Sequence, residues 1–151
     1  MTLVGYDAAT PGLELFGSAW AAQLERELGA SATYRAAAAR WRGSLVFLLE
    51  PDGSAGFPER RMLYLDLQHG NCRAARPALA SDLDGATYCL AGPAELWLKL
   101  LAGRIEPGAA LMGGGLKLAR GSLFTLLPHL AAAKELLECA RLVPTASEAV
   151  R

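Results

Sequence analysis

A run of five consecutive apolar residues in the first third of the chain limits the folds that this sequence can adopt. Residues 44–50 read SLVFLLE, so the run is bounded by a serine and a glutamate. Because neighbouring side chains of a strand point to opposite faces, an unbroken apolar run predicts a strand that is covered on both faces. We therefore expect residues 44–50 to lie inside a layered structure.

Four further segments are predicted to form strands beside it. Residues 61–68 carry leucine at every second position from 63 to 67, which predicts a strand with one apolar face. Gly70-Asn71 has the composition of a tight hairpin turn into a weaker strand near residues 72–76. Two short strands are expected at 87–91 and 116–118.

Two helices are predicted before these strands. Thr10 and Pro11 are residues typical of a helix start, and Gly29 is suited to ending that helix. Between them an apolar stripe recurs at every fourth position: Phe16, Trp20, Leu24 and Leu28. The second helix is alanine-rich, is expected from Ser31 to Gly43, and carries two aromatic residues: Tyr34 and Trp41.

The remaining helices follow the fourth strand. One is expected from Gly92-Pro93 to Gly103, and a short helical turn is expected from Pro107 to Met112, where three glycines end it. A final long helix is expected from Ser122 to about Arg141. Pro128 should kink that helix, because proline lacks the amide hydrogen that a helix interior requires.

The resulting element order, ααββββααβα, predicts an α+β fold with a five-stranded, mostly antiparallel mixed sheet covered by helices. The 151 residues fit one domain, with its core at about residues 15–142 and loose termini at 1–9 and 145–151. Since 52% of the residues are hydrophobic and only 20% are charged, intrinsic disorder is excluded.

The charge balance and the cysteines narrow the class of protein further. The 15 basic and 15 acidic residues cancel, so a dedicated nucleic-acid binder is not expected. Three widely spaced cysteines, Cys72, Cys89 and Cys139, predict buried, reduced thiols rather than a disulfide framework. Residues 1–12 contain no lysine or arginine, which is not the pattern of a secretory leader. We expect a cytoplasmic protein with at most transient membrane contact.

No catalytic or metal-binding motif is visible. The chain has no Gly-x-Ser-x-Gly elbow, and the glycines at 113–115 lack the lysine and hydroxyl residue that complete a phosphate loop. His69 and Cys72 have metal-like spacing but no second pair, and His129 has no acidic residue near it in sequence. We therefore predict a protein that is not an enzyme and that has no cofactor.

Large apolar residues are concentrated in the helices of the C-terminal half. They have two interpretations: side chains that fill the core, or side chains that wall a pocket between helices joined by glycines and kinked by a proline. On the second interpretation the candidate ligand-binding residues are six: Trp97, Leu101, Leu111, Met112, Phe124 and Leu127.

Two adjoining stretches resemble the sterol carrier protein 2 (SCP2) family, in the form of a stand-alone prokaryotic member. Residues 101–107, LAGRIEP, and 110–123, ALMGGGLKLARGSL, are similar to a glycine- and leucine-rich segment of that family, and the element order is similar too. The resemblance covers roughly residues 15–142. One position departs from the family pattern, since Gly115 stands where a lysine is usual.

The resemblance implies an apolar tunnel that carries a fatty acyl, sterol-like or isoprenoid-like ligand without covalent chemistry. The implied partner is thus a hydrophobic small molecule or lipid. A second hypothesis keeps the same fold but makes the chain a protein-interaction module, an accessory subunit in lipid or quinone biosynthesis. A homodimer or an accessory complex stays open on either hypothesis.

Overall fold

The predicted five-stranded sheet is present in the computed structural model, which describes residues 12–53 and 56–146. The elements of the described chain are, in order, α1 (Ser18–Ala30), α2 (Ala32–Ala37), β1 (Arg42–Glu50), β2 (Arg61–Gln68), β3 (Asn71–Pro77), α3 (Ala80–Gly85), β4 (Tyr88–Pro93), α4 (Ala94–Leu101), α5 (Pro107–Met112), β5 (Lys117–Arg120), α6 (Leu123–Leu126), a 3-10 turn (Leu127–His129) and α7 (Leu130–Arg141).

The strands lie in the order β3-β2-β1-β4-β5. Strand β1 is antiparallel to β2 and parallel to β4, and the two outer pairs, β2 with β3 and β4 with β5, are antiparallel. The connection from β3 to β4 crosses from one edge of the sheet to the other side of β1. The α+β class and the mixed sheet are therefore confirmed.

Strand β1 is buried on both faces, as its apolar run predicts. Leu45, Phe47 and Leu49 point into the main core, which α1, α2, α4 and α7 cover. Val46 and Leu48 point the other way, into a smaller cluster that includes Leu83 of α3. Helices thus pack on both faces of β1: α1, α2, α4 and α7 on the face of the main core, and α3 on the other face.

The N-terminal helices are shorter than predicted. Helix α1 begins at Ser18, because Phe16 adopts a φ of 65° and is incompatible with a helix there. Thr10 and Pro11, the predicted start, lie outside the described residues. Helix α2 ends at Ala37, yet Trp41 beyond it is still buried, since the chain turns inward before β1.

Two local predictions are wrong and one is confirmed. Helix α3 was not predicted. It has no fully buried residue, and only its Asp82 and Leu83 are half-buried. The hairpin between β2 and β3 turns at His69-Gly70, one residue earlier than predicted, with positive φ at both positions as in a type I′ turn. Pro128 does interrupt the final helix, which divides into α6, the 3-10 turn and α7.

Hydrogen bonds connect the C-terminal end of the described chain to its N-terminal end. The amide of Leu13 donates to the carbonyl of Pro144 at 2.8 Å, and the amide of Ala146 donates to the carbonyl of Leu13 at 2.8 Å. The indole of Trp20 donates to Oγ1 of Thr145 at 3.0 Å. Thr145 and Ala146, which belong to the segment expected to be loose, are hydrogen-bonded to Trp20 of α1 and to Leu13.

The turn at Gly121 gives a stability prediction. Its φ is +103°, and a β-carbon there would lie 2.5 Å from the carbonyl oxygen of Thr87. Gly121→Ala should therefore lower the free energy of unfolding by about 2 kcal/mol or more. Gly29→Ala is the control, because Gly29 lies in α1 with nothing within 4 Å of a β-carbon. The control should leave stability unchanged or raise it by up to about 1 kcal/mol in urea titrations; equal losses in both variants would contradict this account.

Candidate functional site

An enclosed apolar space lies between the sheet and the helices. Its volume is about 10 Å³, which is about the size that holds one water molecule. Three strand residues form its floor: Leu45, Phe47 and Leu90. Side chains from α4, α5, α7 and the start of β5 form its walls: Trp97, Pro107, Leu116, Ala133, Leu136 and Leu137.

Trp97 fixes one side of this space. Its indole N–H donates to the carbonyl of Leu48 at 2.9 Å, which ties α4 to the central strand. Its ring lies 4.8 Å from the ring of Phe47 and 5.7 Å from that of Phe16, measured between centroids. A side chain bonded and packed on several sides keeps one orientation.

The six residues predicted to line a pocket do not all face this space. Trp97 lines it, and Leu101 and Leu111 are half-buried against the core. Met112, Phe124 and Leu127 lie at the surface, with 63%, 87% and 37% of their area exposed. Apolarity alone could not separate these groups, because it does not say which side of a short helix faces inward.

The three outward-facing residues lie on short elements next to α7. We call α5, α6 and the 3-10 turn the cap. The cap packs on the start of α7, since Gly108 lies against Leu130 and Lys134 Nζ is 3.3 Å from Glu106 Oε2. Met112 ends α5, and Phe124 and Leu127 belong to α6 and the turn. Pro107 of α5 is the cap residue that lines the enclosed space.

The glycine run between α5 and β5 behaves as predicted at its centre. Gly114 has a φ of +83°, the backbone conformation that ends a helix before a strand. Gly115 has no positive φ, and a β-carbon there would lie 3.4 Å from Leu96 Cδ2, an ordinary contact. The lysine that is usual in the resembling family would fit at this position.

Tyr34 places a polar atom inside the main core. Its side chain is 0% exposed, and its hydroxyl has no hydrogen-bond partner among the described residues. Burial, reinforced by the neighbouring thiols of Cys72 and Cys139, raises the pKa of this hydroxyl well above its usual range. The sequence predicted Tyr34 as an aromatic residue of the second helix but carried no signal about its hydroxyl.

The thiols around Tyr34 are protonated and free. Cys139 is buried and Cys72 is half-buried, so the expectation of burial is met only partly for Cys72. The Cys72 thiol donates to the carbonyl of Ala74 at 3.3 Å. Burial, together with the negative charge of Glu25, raises the pKa of Cys72 to about 12.

This raised pKa predicts how stability changes in alkali. Between the usual thiol pKa near 9 and about 12, the unfolded chain releases the Cys72 proton while the folded chain keeps it. Stability should therefore fall as pH rises through this window, by at most about 1.4 kcal/mol per pH unit for one proton. Chemical unfolding of wild type and Cys72→Ala at several pH values checks this, and the variant should show the shallower decline. Parallel declines would contradict the assignment to Cys72.

The two histidines considered as candidate functional residues both contact neighbouring residues. His69 Nδ1 lies 3.1 Å from the carbonyl oxygen of Ala39, and the His129 ring stacks on Trp41 with centroids 5.7 Å apart. Across residues 12–53 and 56–146, no three histidine, cysteine or acidic side chains are grouped closely enough to hold a metal ion. Nor is any helix of this part of the chain long and apolar enough to cross a membrane.

Comparison of the chain with known protein families tests the resemblance that the sequence motif indicated. Residues 21–124 match the model of the SCP-2 sterol transfer family. The chain belongs to this family. Among curated proteins, none matches significantly.

Solved structures of the family superpose on the chain. A crystal structure of sterol carrier protein 2 has 42% sequence identity and a TM-score of 0.77, over 86% of this chain and 99% of that one. A protein from Thermus thermophilus, described as possibly a sterol carrier protein, has 39% identity and a TM-score of 0.78, over 94% and 98% of the two chains. The apo form of the Yarrowia lipolytica sterol carrier protein 2, at 19% identity and a TM-score of 0.54 over 80% and 88%, shares the fold.

Proposed function

We propose that this SCP2-family chain binds and carries a hydrophobic ligand between its sheet and its helical layer, with no covalent step. The single observation that supports this most is the enclosed, wholly apolar space between the sheet, α4 and α7. The ligand classes are those that an apolar lining can hold: fatty acyl chains, sterol-like molecules and isoprenoid-like molecules.

The size of the space implies that binding requires a movement. Pockets for drug-sized ligands have roughly 300–1,000 Å³, whereas this space has about 10 Å³. A long-chain ligand therefore has to displace side chains or whole elements from the sheet. The ligand-free core fills its own site, which keeps apolar surface out of water.

The cap is the element best suited to move. Its helices have six and four residues, and helices this short depend on packing rather than on their own hydrogen bonds for stability. Polar contacts hold it at its ends: Lys134 with Glu106, and the Tyr88 hydroxyl, which donates to Thr125 Oγ1 at 2.8 Å. Short elements held in this way open at low free-energy cost.

The exposed apolar residues of the cap fit a ligand entrance. Phe124, Met112 and Leu127 present apolar surface to solvent at the border of the cap. We place the rim of the entrance at these three residues, with Leu111 behind them and Trp97 as the inner wall. Leu101 lies farther off, beside Ala140 and Arg141 at the C-terminal end of α7. The entrance would then use five of the six residues, and only in the open state.

Leu127→Arg tests this placement. A charge at the rim should weaken ligand binding at least tenfold, because the ligand must pass an unpaired charge in a partly apolar setting. The melting temperature should fall by less than about 5 °C, since Leu127 is 37% exposed and the arginine head can reach water. An uncharged fluorescent hydrocarbon probe, diphenylhexatriene, titrated into wild type and variant, beside thermal melts, gives both quantities.

The matched control is Leu79→Arg. Leu79 is also exposed, at 64%, but it lies before α3 on the opposite side of the sheet. This variant should bind like wild type. If Leu127→Arg binds the probe as tightly as wild type does, the entrance does not lie at the cap. Absence of saturable binding in the wild type would overturn the carrier function and favour the accessory-subunit hypothesis, in which the exposed cap residues contact a protein.

A further inference from the structure

The hydroxyl of Tyr34 is an exception in the main core. Other buried aromatic polar atoms are paired: the Trp97 indole with Leu48, the Trp20 indole with Thr145, and the Tyr88 hydroxyl with Thr125. The Tyr34 hydroxyl is fully buried and has no hydrogen bond to any residue that the structure describes. A buried polar group without a partner destabilises the folded state, so a hydrogen-bonding ligand that reached this hydroxyl would gain stability from it.

The position of this hydroxyl connects it with the enclosed space. Tyr34 lies on α2, which packs on α7. The thiols of Cys72 on β3 and Cys139 on α7 are near enough to influence its ionisation. Leu136, three residues before Cys139 on α7, lines the enclosed space. Three residues correspond to about 4.5 Å along a helix and one turn, so both side chains lie on the same helix face.

The separation across the sheet fits the length of a lipid chain. The enclosed space lies over β1, through Leu45, and Cys72 lies on β3, two strands away. Neighbouring strands are about 4.8 Å apart, so the distance is roughly 10 Å. An extended chain of ten or more carbons would span the distance from the enclosed space to the strand that carries Cys72, which is near Tyr34.

We infer that Tyr34 is the hydrogen-bonding anchor for the polar end of the ligand, and that this end is an uncharged oxygen of a hydroxyl, ester or ketone group. The inference rests on the proposed carrier function. The restriction to an uncharged end follows from the surroundings, because the described core contains no buried charged residue. A carboxylate or phosphate there would be left without a counter-charge, which is strongly unfavourable.

The test compares two ligands of equal length on two proteins. Decan-1-ol carries a hydroxyl, and 1-chlorodecane replaces it with a poor hydrogen-bond acceptor. Wild type and Tyr34→Phe are titrated with each ligand in competition with a bound, uncharged fluorescent hydrocarbon probe, diphenylhexatriene. We expect Tyr34→Phe to weaken decan-1-ol binding by about five- to tenfold, as the loss of one hydrogen bond implies, and to leave 1-chlorodecane binding unchanged.

A thermal melt of the ligand-free proteins completes the test. Because the hydroxyl has no partner to lose among the described residues, Tyr34→Phe should melt at the same temperature as wild type or higher. A clearly lower melting temperature would contradict the premise that the hydroxyl is unpaired without ligand. Equal weakening of both ligands, or of neither, would overturn the anchor while leaving the carrier function in place. Failure of the wild type to bind either ligand or the probe would instead overturn the carrier function.

Discussion

Strand β1 is the element on which both layers of this structure depend. It is hydrogen-bonded to β2 on one side and to β4 on the other, and its side chains alternate between the main core and the smaller cluster. The helical layer of the main core packs on Phe47 and its neighbours, and Trp97 is bonded to the carbonyl of Leu48. A ligand in the enclosed space would lie against Leu45 and Phe47 of this strand.

Much of the fold could be predicted because its strong patterns coincide with burial. The apolar run in β1 and the alternating leucines of β2 predicted which faces are covered. Prediction from the sequence failed where the local preference for helix is weak or where tertiary contacts override it. Helix α3, ASDLDG, has no apolar period, and Phe16 continued a helical stripe although its backbone turns out of the helix. The stripe was right about burial and wrong about the element.

The candidate site could be predicted less well, for a physical reason. Apolar residues in a helix indicate that some face is buried, but short helices joined by glycines can rotate that face to either side. Phe124 is accordingly exposed although it is as apolar as Trp97. The hydrogen-bond partner of a buried polar atom comes from residues distant in sequence. The sequence therefore could not show that the Tyr34 hydroxyl has no partner among the described residues; only the folded structure shows it.

The central claim is that a core closed around about 10 Å³ opens to hold a lipid. Native mass spectrometry of freshly purified protein, before and after incubation with hexadecan-1-ol, tests it most directly, because it reports bound ligand and oligomeric state together. The account predicts a non-covalent adduct with the mass of one small apolar molecule, present on isolation or formed on incubation, and lost on collisional activation. An unchanged bare mass after incubation with hexadecan-1-ol, a sterol and a fatty acid would contradict it.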